Sequence, residues 1–344
     1  MTTEPPWTIK RELLTRTEET SDPKYGAPPD KRSIKDHLRF GIVNLDKPSG
    51  PTSHEVVAWV KRLLQVTHAG HGGTLDPKVT GILPIALEEA TKAVGILLLS
   101  GKEYVCVMRL HEEVPEGRVR GVLGEFVGEI LQRPPLRSSV RRVVRIRRIY
   151  YVRDLEFHPD RVLFRVGCEA GTYIRKLCFD VGEALGVGAH MEELRRTRTG
   201  PFTEDKDLVT LYDLQDAYAS LQEKADETAL RRCVLPVETA FGSVPKVIVR
   251  DSAVDAICHG AKLAVPGICR LDSGIRPDDW VGYFTLKGEL IGMGSAVMST
   301  EQVLELDHGI AFNTVRVMMP VDTYPRVWQS RAAERQAGKP VEPA

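Results

Sequence analysis

The chain has 344 residues, of which 42% are hydrophobic and 27% are charged, proportions typical of a folded globular protein. Lysine plus arginine equals aspartate plus glutamate at 47 each, so the net charge gives no support for a polyanionic partner. Apolar runs stay well short of the roughly 20 residues that a membrane helix needs. The first residues lack the basic-then-apolar pattern of a secretory signal. We therefore expect no membrane association and a cytoplasmic protein.

The six cysteines form no C-x-x-C pair, a pattern that argues against a zinc ribbon or a thioredoxin-like redox site. Most of them lie among apolar residues, as free cysteines of protein interiors do. The sequence therefore predicts buried, inert thiols and no metal site.

The first regular pattern follows a polar, proline-bearing segment over residues 1–33, which we interpret as an N-terminal arm. Residues 40–45 predict a strand, and a turn follows it. Thr52 and Glu55 have the spacing of a capping box, which marks the start of a helix. Apolar residues then recur on one face of that helix, namely Val56, Val60, Leu63 and Leu64.

Helices and strands are then mixed without regular βα alternation. A second helix is predicted over residues 87–99, and a third begins at Thr172 with a buried stripe of Ile174, Leu177, Val181 and Leu185. Strands are predicted at residues 104–110, 122–130, 144–152 and 162–166. This arrangement indicates an α+β domain with a mixed, largely antiparallel sheet over residues 34–243.

A change of texture marks a second domain. An acidic, helical stretch over residues 208–235 is followed by short strands with glycine-rich turns, which predict a small β-rich domain over residues 244–325. Residues 326–344 are charged and rich in alanine, then end in prolines, and we interpret them as a C-terminal tail.

The most informative stretch is the loop Gly-His-Gly-Gly-Thr-Leu-Asp-Pro over residues 70–77. Glycines permit close backbone approaches, and Pro77 restricts the conformation of Asp76. It lacks the pattern of a phosphate-binding loop. Spacing alone leaves two interpretations open, a simple tight turn and a loop that presents the Asp76 carboxylate.

Local charge is more informative than total charge. Residues 132–152 contain seven arginines and no acidic residue: Arg133, Arg137, Arg141, Arg142, Arg145, Arg147 and Arg148. Part of this cluster alternates like a strand with one cationic face, so a solvated surface is one interpretation. The other is a surface that neutralises a phosphate backbone.

Five ordered motifs resemble the TruB family of pseudouridine synthases, and their details are similar to its dyskerin branch. They are the loop at 70–81, Leu-Asp-Lys-Pro-Ser-Gly-Pro-Thr-Ser at 45–53, Gly-Lys-Glu-Tyr at 101–104, Gly-Thr-Tyr-Ile-Arg-Lys at 171–176 and Leu-Arg-Arg-Thr-Arg-Thr-Gly-Pro-Phe at 194–202. The β-rich domain resembles a PUA domain. Its net acidity does not by itself predict RNA binding, so that assignment depends on the resemblance.

The resemblance implies isomerisation of uridine to pseudouridine in RNA without a cofactor. Asp76 matches the catalytic nucleophile, Arg175 its cationic partner, and Tyr104 the aromatic residue that supports the flipped base. Residues predicted to bind substrate or RNA are His71, Tyr173, Lys47, Arg141, Arg142, Arg145, Gly260, Ala261 and Lys262. The segment at 134–140 resembles the family's loop over the substrate RNA.

The dyskerin branch also implies partners. They are a box H/ACA guide RNA, an rRNA or tRNA target, two small accessory proteins and a kink-turn-binding protein. Without a long Lys-rich tail the chain resembles archaeal members of the branch. Two alternatives stay open, a stand-alone tRNA pseudouridine synthase of the same fold and a noncatalytic RNA scaffold.

Overall fold

The structure is a computed structural model that describes residues 4–134 and 143–326. The described helices are α1 (Ile34–Arg39), α2 (Ser53–Leu63), α3 (Val94–Leu99), α4 (Glu116–Glu125), α5 (Ile174–Leu185), α6 (Leu211–Lys224), α7 (Thr228–Cys233), α8 (Asp251–Cys258) and α9 (Thr300–Glu305). Short 3-10 helices lie at Pro6–Thr8, Pro29–Lys31, Glu88–Ala93, Val237–Phe241 and Val265–Gly267. No helix among the described residues is both long and apolar enough to cross a membrane.

The strands of the first half are β1 (Leu13–Thr15), β2 (Gly41–Lys47), β3 (Ala69–His71), β4 (Thr80–Leu87), β5 (Lys102–Leu110), β6 (Gly128–Gln132), β7 (Arg145–His158) and β8 (Arg161–Cys168). Those of the second half are β9 (Ala189–Thr199), β10 (Phe202–Thr203), β11 (Leu235–Pro236), β12 (Lys246–Val249), β13 (Leu263–Ala264), β14 (Ile268–Asp272), β15 (Trp280–Phe284), β16 (Leu290–Ala296) and β17 (Ile310–Val317). The chain divides into two compact units, one formed by residues 1–9 and 34–243 and the other by residues 10–33 and 244–344.

The first unit is built on a ten-stranded sheet whose main path runs β11-β2-β4-β9-β5-β8-β7-β6. Its described pairs are antiparallel except for β4 with β9. The predicted α+β class with a mixed, largely antiparallel sheet is therefore confirmed. Because β9 lies between β4 and β5, three segments that are distant in sequence become neighbours.

Two helices follow the sequence pattern closely. The capping box at the start of α2 is present, with Glu55 N donating to Thr52 Oγ1 at 3.2 Å and Thr52 N donating to the Glu55 carboxylate at 2.7 Å. The predicted stripe of α5 is buried at Ile174, Leu177, Val181 and Leu185. This apolar face packs with β5 and β8 in one core cluster, which fixes where the first turn of α5 lies.

One strand prediction was wrong, and another segment is more mixed than predicted. Residues 122–125 end helix α4, which buries Val119 and Leu123 one turn apart, and only residues 128–132 form a strand. Apolar residues recur every four positions there, at Val122, Phe126 and Ile130, and over so short a stretch this spacing fits one face of a strand as well as one face of a helix. The helix predicted over 87–99 is a 3-10 helix followed by the short α3.

The second unit contains a seven-stranded sheet in the order β1-β14-β12-β15-β16-β17-β13. Strand β1 comes from the N-terminal segment and pairs antiparallel with β14. The carboxylate of Glu289 also accepts from Ala27 N at 3.1 Å and from the Tyr324 hydroxyl at 2.6 Å. The prediction that residues 1–33 form an arm outside any core element is therefore wrong for Lys10–Ser33. Strand β1 is stabilised by pairing with β14 at the edge of the sheet. Three residues are too few to show the alternation of apolar and polar residues that predicts a strand.

All six cysteines are free, and five are buried, as predicted. Cys106 and Cys178 lie with their sulfurs 3.5 Å apart in the core between β5 and α5. The hydrogen bond with the Cys178 thiol, together with burial, raises the pKa of Cys106. These thiols therefore contribute to packing.

Gly182 provides a test of how α5 is held against the sheet. A Cβ added at Gly182 would lie 2.1 Å from the backbone nitrogen of Ala189, where β9 begins. We expect Gly182→Ala to lower the free energy of unfolding by about 1–3 kcal/mol because the helix must move away. The control is Gly121→Ala in exposed α4, where nothing lies within 4 Å and stability should be unchanged or slightly higher. Thermal denaturation of both variants measures this, and equal midpoints would contradict the packing argument.

Candidate active site

The loop between β3 and β4 presents Asp76 beside helix α5. The Asp76 carboxylate forms an ion pair with the Arg175 guanidinium, which projects from the first turn of α5. Both side chains are about half exposed, at 52% and 50%. The Asp76 carboxylate is therefore open to a substrate. Arg175 lies at the helix end that disfavours cations, and its partner across the loop offsets this.

Lys47 at the end of β2 holds this loop from beneath. Its Nζ donates to the carbonyl oxygens of Pro48 at 2.9 Å, Pro77 at 2.9 Å and Val79 at 3.0 Å. The residue is 0% exposed, and burial, with the nearby Arg196 charge, lowers the pKa of the Lys47 ammonium. The predicted role of Lys47 in RNA binding is therefore wrong, because its three donors are used on the protein backbone.

Ser53 forms two hydrogen bonds with Leu75, the residue directly before Asp76. Its Oγ accepts from Leu75 N at 2.8 Å and donates to Leu75 O at 3.1 Å, and both residues are buried. The start of α2 and the end of β2 therefore hold the two sides of Asp76. The backbone groups of Leu75 and Pro77, on either side of Asp76, therefore have hydrogen-bond partners in Ser53 and Lys47.

Arg196 on β9 is a buried cation that sequence reasoning did not single out. Its Nε donates to Ile82 O at 2.7 Å and one terminal nitrogen donates to Gly73 O at 3.0 Å. It also lies directly opposite Tyr104 in the β5–β9 ladder, and its charge acts on the Tyr104 hydroxyl. Burial lowers the pKa of the Arg196 guanidinium, and its three contacts compensate part of this cost. One side chain therefore connects the loop, strand β4 and the tyrosine.

The two predicted tyrosines lie on strand β5 and at the start of α5. Tyr104 on β5 is half-buried; burial raises the pKa of its hydroxyl, and the Arg196 charge opposes that rise. Tyr173 is also half-buried and occupies the N-cap position of α5, two residues before Arg175. The aromatic and ionic groups predicted for the site therefore come from strand β5, the loop and the start of α5.

His71 lies at the end of β3 and packs edge-on against His54, with ring centroids 5.1 Å apart. Burial lowers the pKa of the His71 imidazole, and the neighbouring His54 and Arg196 lower it further. A lowered pKa means that the ring is neutral at pH 7. Any contact of His71 with RNA would then be a neutral hydrogen bond.

The arginine cluster is only partly uncompensated. Arg148 pairs with Glu129, and Arg147 lies 3.9 Å from Glu169. The absence of acidic residues within 132–152 does not leave all the arginines unpaired, because Glu129 and Glu169 reach them from outside this range. Arg145 is half-buried, and no ion pair is found for it within the described residues. The predicted RNA-binding residues Arg141 and Arg142 lie outside the described residues.

In the second unit, the predicted RNA-binding residues Gly260, Ala261 and Lys262 are exposed after helix α8. Gly260 has a φ of +84°, which favours glycine at this turn. Thr314 Oγ1 on β17 donates to Ala261 O at 2.6 Å and holds the turn against the sheet. Their role in RNA binding stays a prediction.

Comparison with known proteins bears directly on this site. The profile of the TruB family pseudouridylate synthase N-terminal domain matches residues 61–174, and that of the tRNA pseudouridylate synthase B C-terminal domain matches residues 175–242. A probable tRNA pseudouridine synthase B from Methanosarcina barkeri is 56% identical over 326 residues, which cover 95% of this chain and 96% of that protein. The chain belongs to the TruB family of pseudouridine synthases.

Other matches extend to both ends of this TruB family member. The profiles of the PUA domain and the DKCLD (NUC011) domain match residues 245–318 and 3–57. A chain in a solved Cbf5-Nop10-Gar1 complex is 53% identical with a TM-score of 0.91, covering 95% of this chain and 100% of that one. A chain in a solved H/ACA RNP bound to a substrate RNA containing 2'-deoxyuridine is 52% identical with a TM-score of 0.88, covering 94% and 99%.

Substitution of Lys47 separates support of the loop from RNA contact. Lys47→Met should remove the ammonium that bonds the carbonyl oxygens of Pro48 and Val79, while Pro77 O keeps its bond from Gly50 N. The free energy of unfolding should fall by about 1–3 kcal/mol. Catalysis should fall because Asp76 loses its support, while RNA affinity stays unchanged. The matched control is Lys78→Met, since Lys78 is exposed on the same loop. Filter binding and single-turnover assays check this; weaker RNA binding with normal stability would restore the RNA-contact interpretation.

Proposed function

We propose that this TruB family protein is the catalytic subunit of a box H/ACA ribonucleoprotein and converts uridine to pseudouridine in RNA. The observation that carries the proposal is the half-exposed Asp76–Arg175 ion pair on a loop that Arg196 connects to Tyr104. These groups supply a nucleophile, its cationic partner and an aromatic surface on one rigid support. No redox or transferred group is needed, because the reaction rearranges atoms already in the uridine.

Each group has a chemical task in this reaction. The uridine base is detached at N1 and rejoined to the sugar through C5, and the proton on C5 is replaced by one on N1. Asp76 acts as the nucleophile, and the Arg175 guanidinium keeps its carboxylate ionised and oriented. The Tyr104 ring supports the flipped base by stacking. The access of solvent to Asp76 permits a base to reach it.

The similar solved structures supply the proposed partners. One is a Cbf5-Nop10-Gar1 complex and another is an H/ACA RNP bound to a substrate RNA. We assign to this chain a guide RNA, two small accessory proteins and a target rRNA or tRNA. The kink-turn-binding protein follows from the family resemblance. The cytoplasmic location stays a prediction.

One finding favours a second candidate, the stand-alone modification of tRNA. The Methanosarcina barkeri relative is named a probable tRNA pseudouridine synthase B. Such an enzyme would recognise the stem-loop of its own substrate and would need no guide. The noncatalytic scaffold is disfavoured, since RNA binding alone has no need for an accessible Asp76–Arg175 pair.

The decisive measurement is pseudouridine formation in a target RNA with a matching H/ACA guide, with a mismatched guide and without a guide. We expect activity only with the matching guide, and we expect Asp76→Asn to abolish it while guide binding is retained. The control is Asp216→Asn on the exposed face of α6, which should be fully active. Equal activity on tRNA without any guide would favour the stand-alone enzyme. More than about a tenth of wild-type turnover in Asp76→Asn would remove Asp76 from the mechanism.

RNA binding by the arginine cluster can be tested at Arg145 and Arg148, which the structure describes. Arg145→Ala should lower RNA affinity about equally for unrelated sequences and reduce the slope of log affinity against log salt by about 0.7–0.9. Arg148→Ala is the matched control on the same strand, because Glu129 already neutralises its guanidinium. A salt titration of both variants decides the matter, and an unchanged slope for Arg145→Ala would mean that this face is only solvated.

A further inference from the structure

Gln132 is a buried amide that connects the end of β6 with the start of α5. The residue is 2% exposed. Its Nε2 donates to Tyr173 O at 3.1 Å, and its Oε1 accepts from Tyr173 N at 2.9 Å. A backbone N–H can only donate and a carbonyl can only accept, so the two bonds define the orientation of the amide. The Tyr173 peptide groups are therefore held from both sides by one side chain.

This contact replaces the usual capping of α5. Tyr173 occupies the N-cap position, but its side chain makes no capping hydrogen bond. Its carbonyl already accepts from Lys176 N at 3.1 Å and from Leu177 N at 3.0 Å, as the first turn of a helix requires. Gln132 adds a third donor to that carbonyl and satisfies the Tyr173 N–H. The entry angle of the helix is thus set by a residue from another element.

The helix start held in this way carries the functional groups. Tyr173 is the residue that Gln132 holds, and Arg175, two positions later, pairs with Asp76. We propose that Gln132 is a positioning residue that fixes the start of α5 and so the geometry with which Arg175 meets Asp76. A shift of about 1 Å in such a group can cost about 100-fold in rate.

Gln132 is also paired with an arginine of the cationic cluster. In the β6–β7 hairpin, Gln132 lies directly opposite Arg145. This register places a member of the arginine cluster next to the residue that holds Tyr173. The positioning role of Gln132 rests on the proposed function, since it requires an RNA substrate.

The test compares two substitutions at this position in the full chain, assembled with guide and target RNA. Gln132→Met keeps the volume and removes both hydrogen bonds, so the single-turnover rate should fall about 10- to 100-fold with RNA affinity unchanged. In Gln132→Glu the neutral carboxyl can donate and accept as the amide does, whereas the ionised form cannot donate. Its rate relative to wild type should approach one at low pH and fall as the pH rises.

The groups around position 132 determine the pH at which the rate of Gln132→Glu falls. Arg145 across the hairpin and Arg147, packed against Gly171, favour the ionised carboxylate, while burial favours the neutral form. Hydrogen exchange gives a readout independent of activity, since the Tyr173 amide should exchange faster in Gln132→Met than in wild type. The control is Gln302→Met, at a capping position in the second unit, which should leave rate and Tyr173 exchange unchanged.

The outcomes separate the two proposals. An inactive wild type would overturn the proposed function, whereas the exchange result at Tyr173 would still judge the contact. A normal rate in Gln132→Met, or a loss of rate in Gln132→Glu that does not vary with pH, would overturn the role of Gln132. A matching loss of RNA affinity in both variants would also overturn it, because the residue would then act on binding.

Discussion

The active site depends on a loop whose carbonyl groups are held by buried cations. The loop between β3 and β4 has few ladder partners of its own, so its carbonyl oxygens must find donors elsewhere. Lys47 and Arg196 supply them to Pro77, Val79 and Gly73. Hydrogen bonds from charged donors are stronger than neutral ones, and in a buried site they resist exchange with water. The position of the Asp76 carboxylate therefore depends on the hydrogen bonds from Lys47 and Arg196 to the loop.

The same cations give the site a local charge that the whole chain does not have. The sequence is neutral overall, yet Lys47, Arg196 and the buried Lys102 lie within one region of the first unit. Burial, with the Arg196 charge, lowers the pKa of Lys102 to about 7, and burial and nearby charges lower the pKa of His71. A positive region of this kind suits a reaction at a carboxylate beside a polyanionic substrate.

Local sequence patterns predicted helices of the first unit where the pattern repeats over enough residues to distinguish a helix from a strand. The stripe of α5 and the capping box of α2 each depend on contacts within one helix, and both are present. The strand predicted at residues 122–130 was wrong because few residues carry its pattern. Strand β1 was missed since its stability comes from pairing with β14, which no local pattern records.

By itself the sequence determined the chemistry and the residue types that carry it, through ordered motifs containing Asp76, Tyr104 and Arg175. The tertiary structure alone decided that Lys47 serves the loop, that Arg196 joins the loop to Tyr104, and where each chemical group points. A lysine or arginine in a motif has the same letter whether it faces a phosphate or a buried carbonyl. Which acceptor it meets depends on the strands that become neighbours, and the sheet order fixes this only when the whole domain has folded.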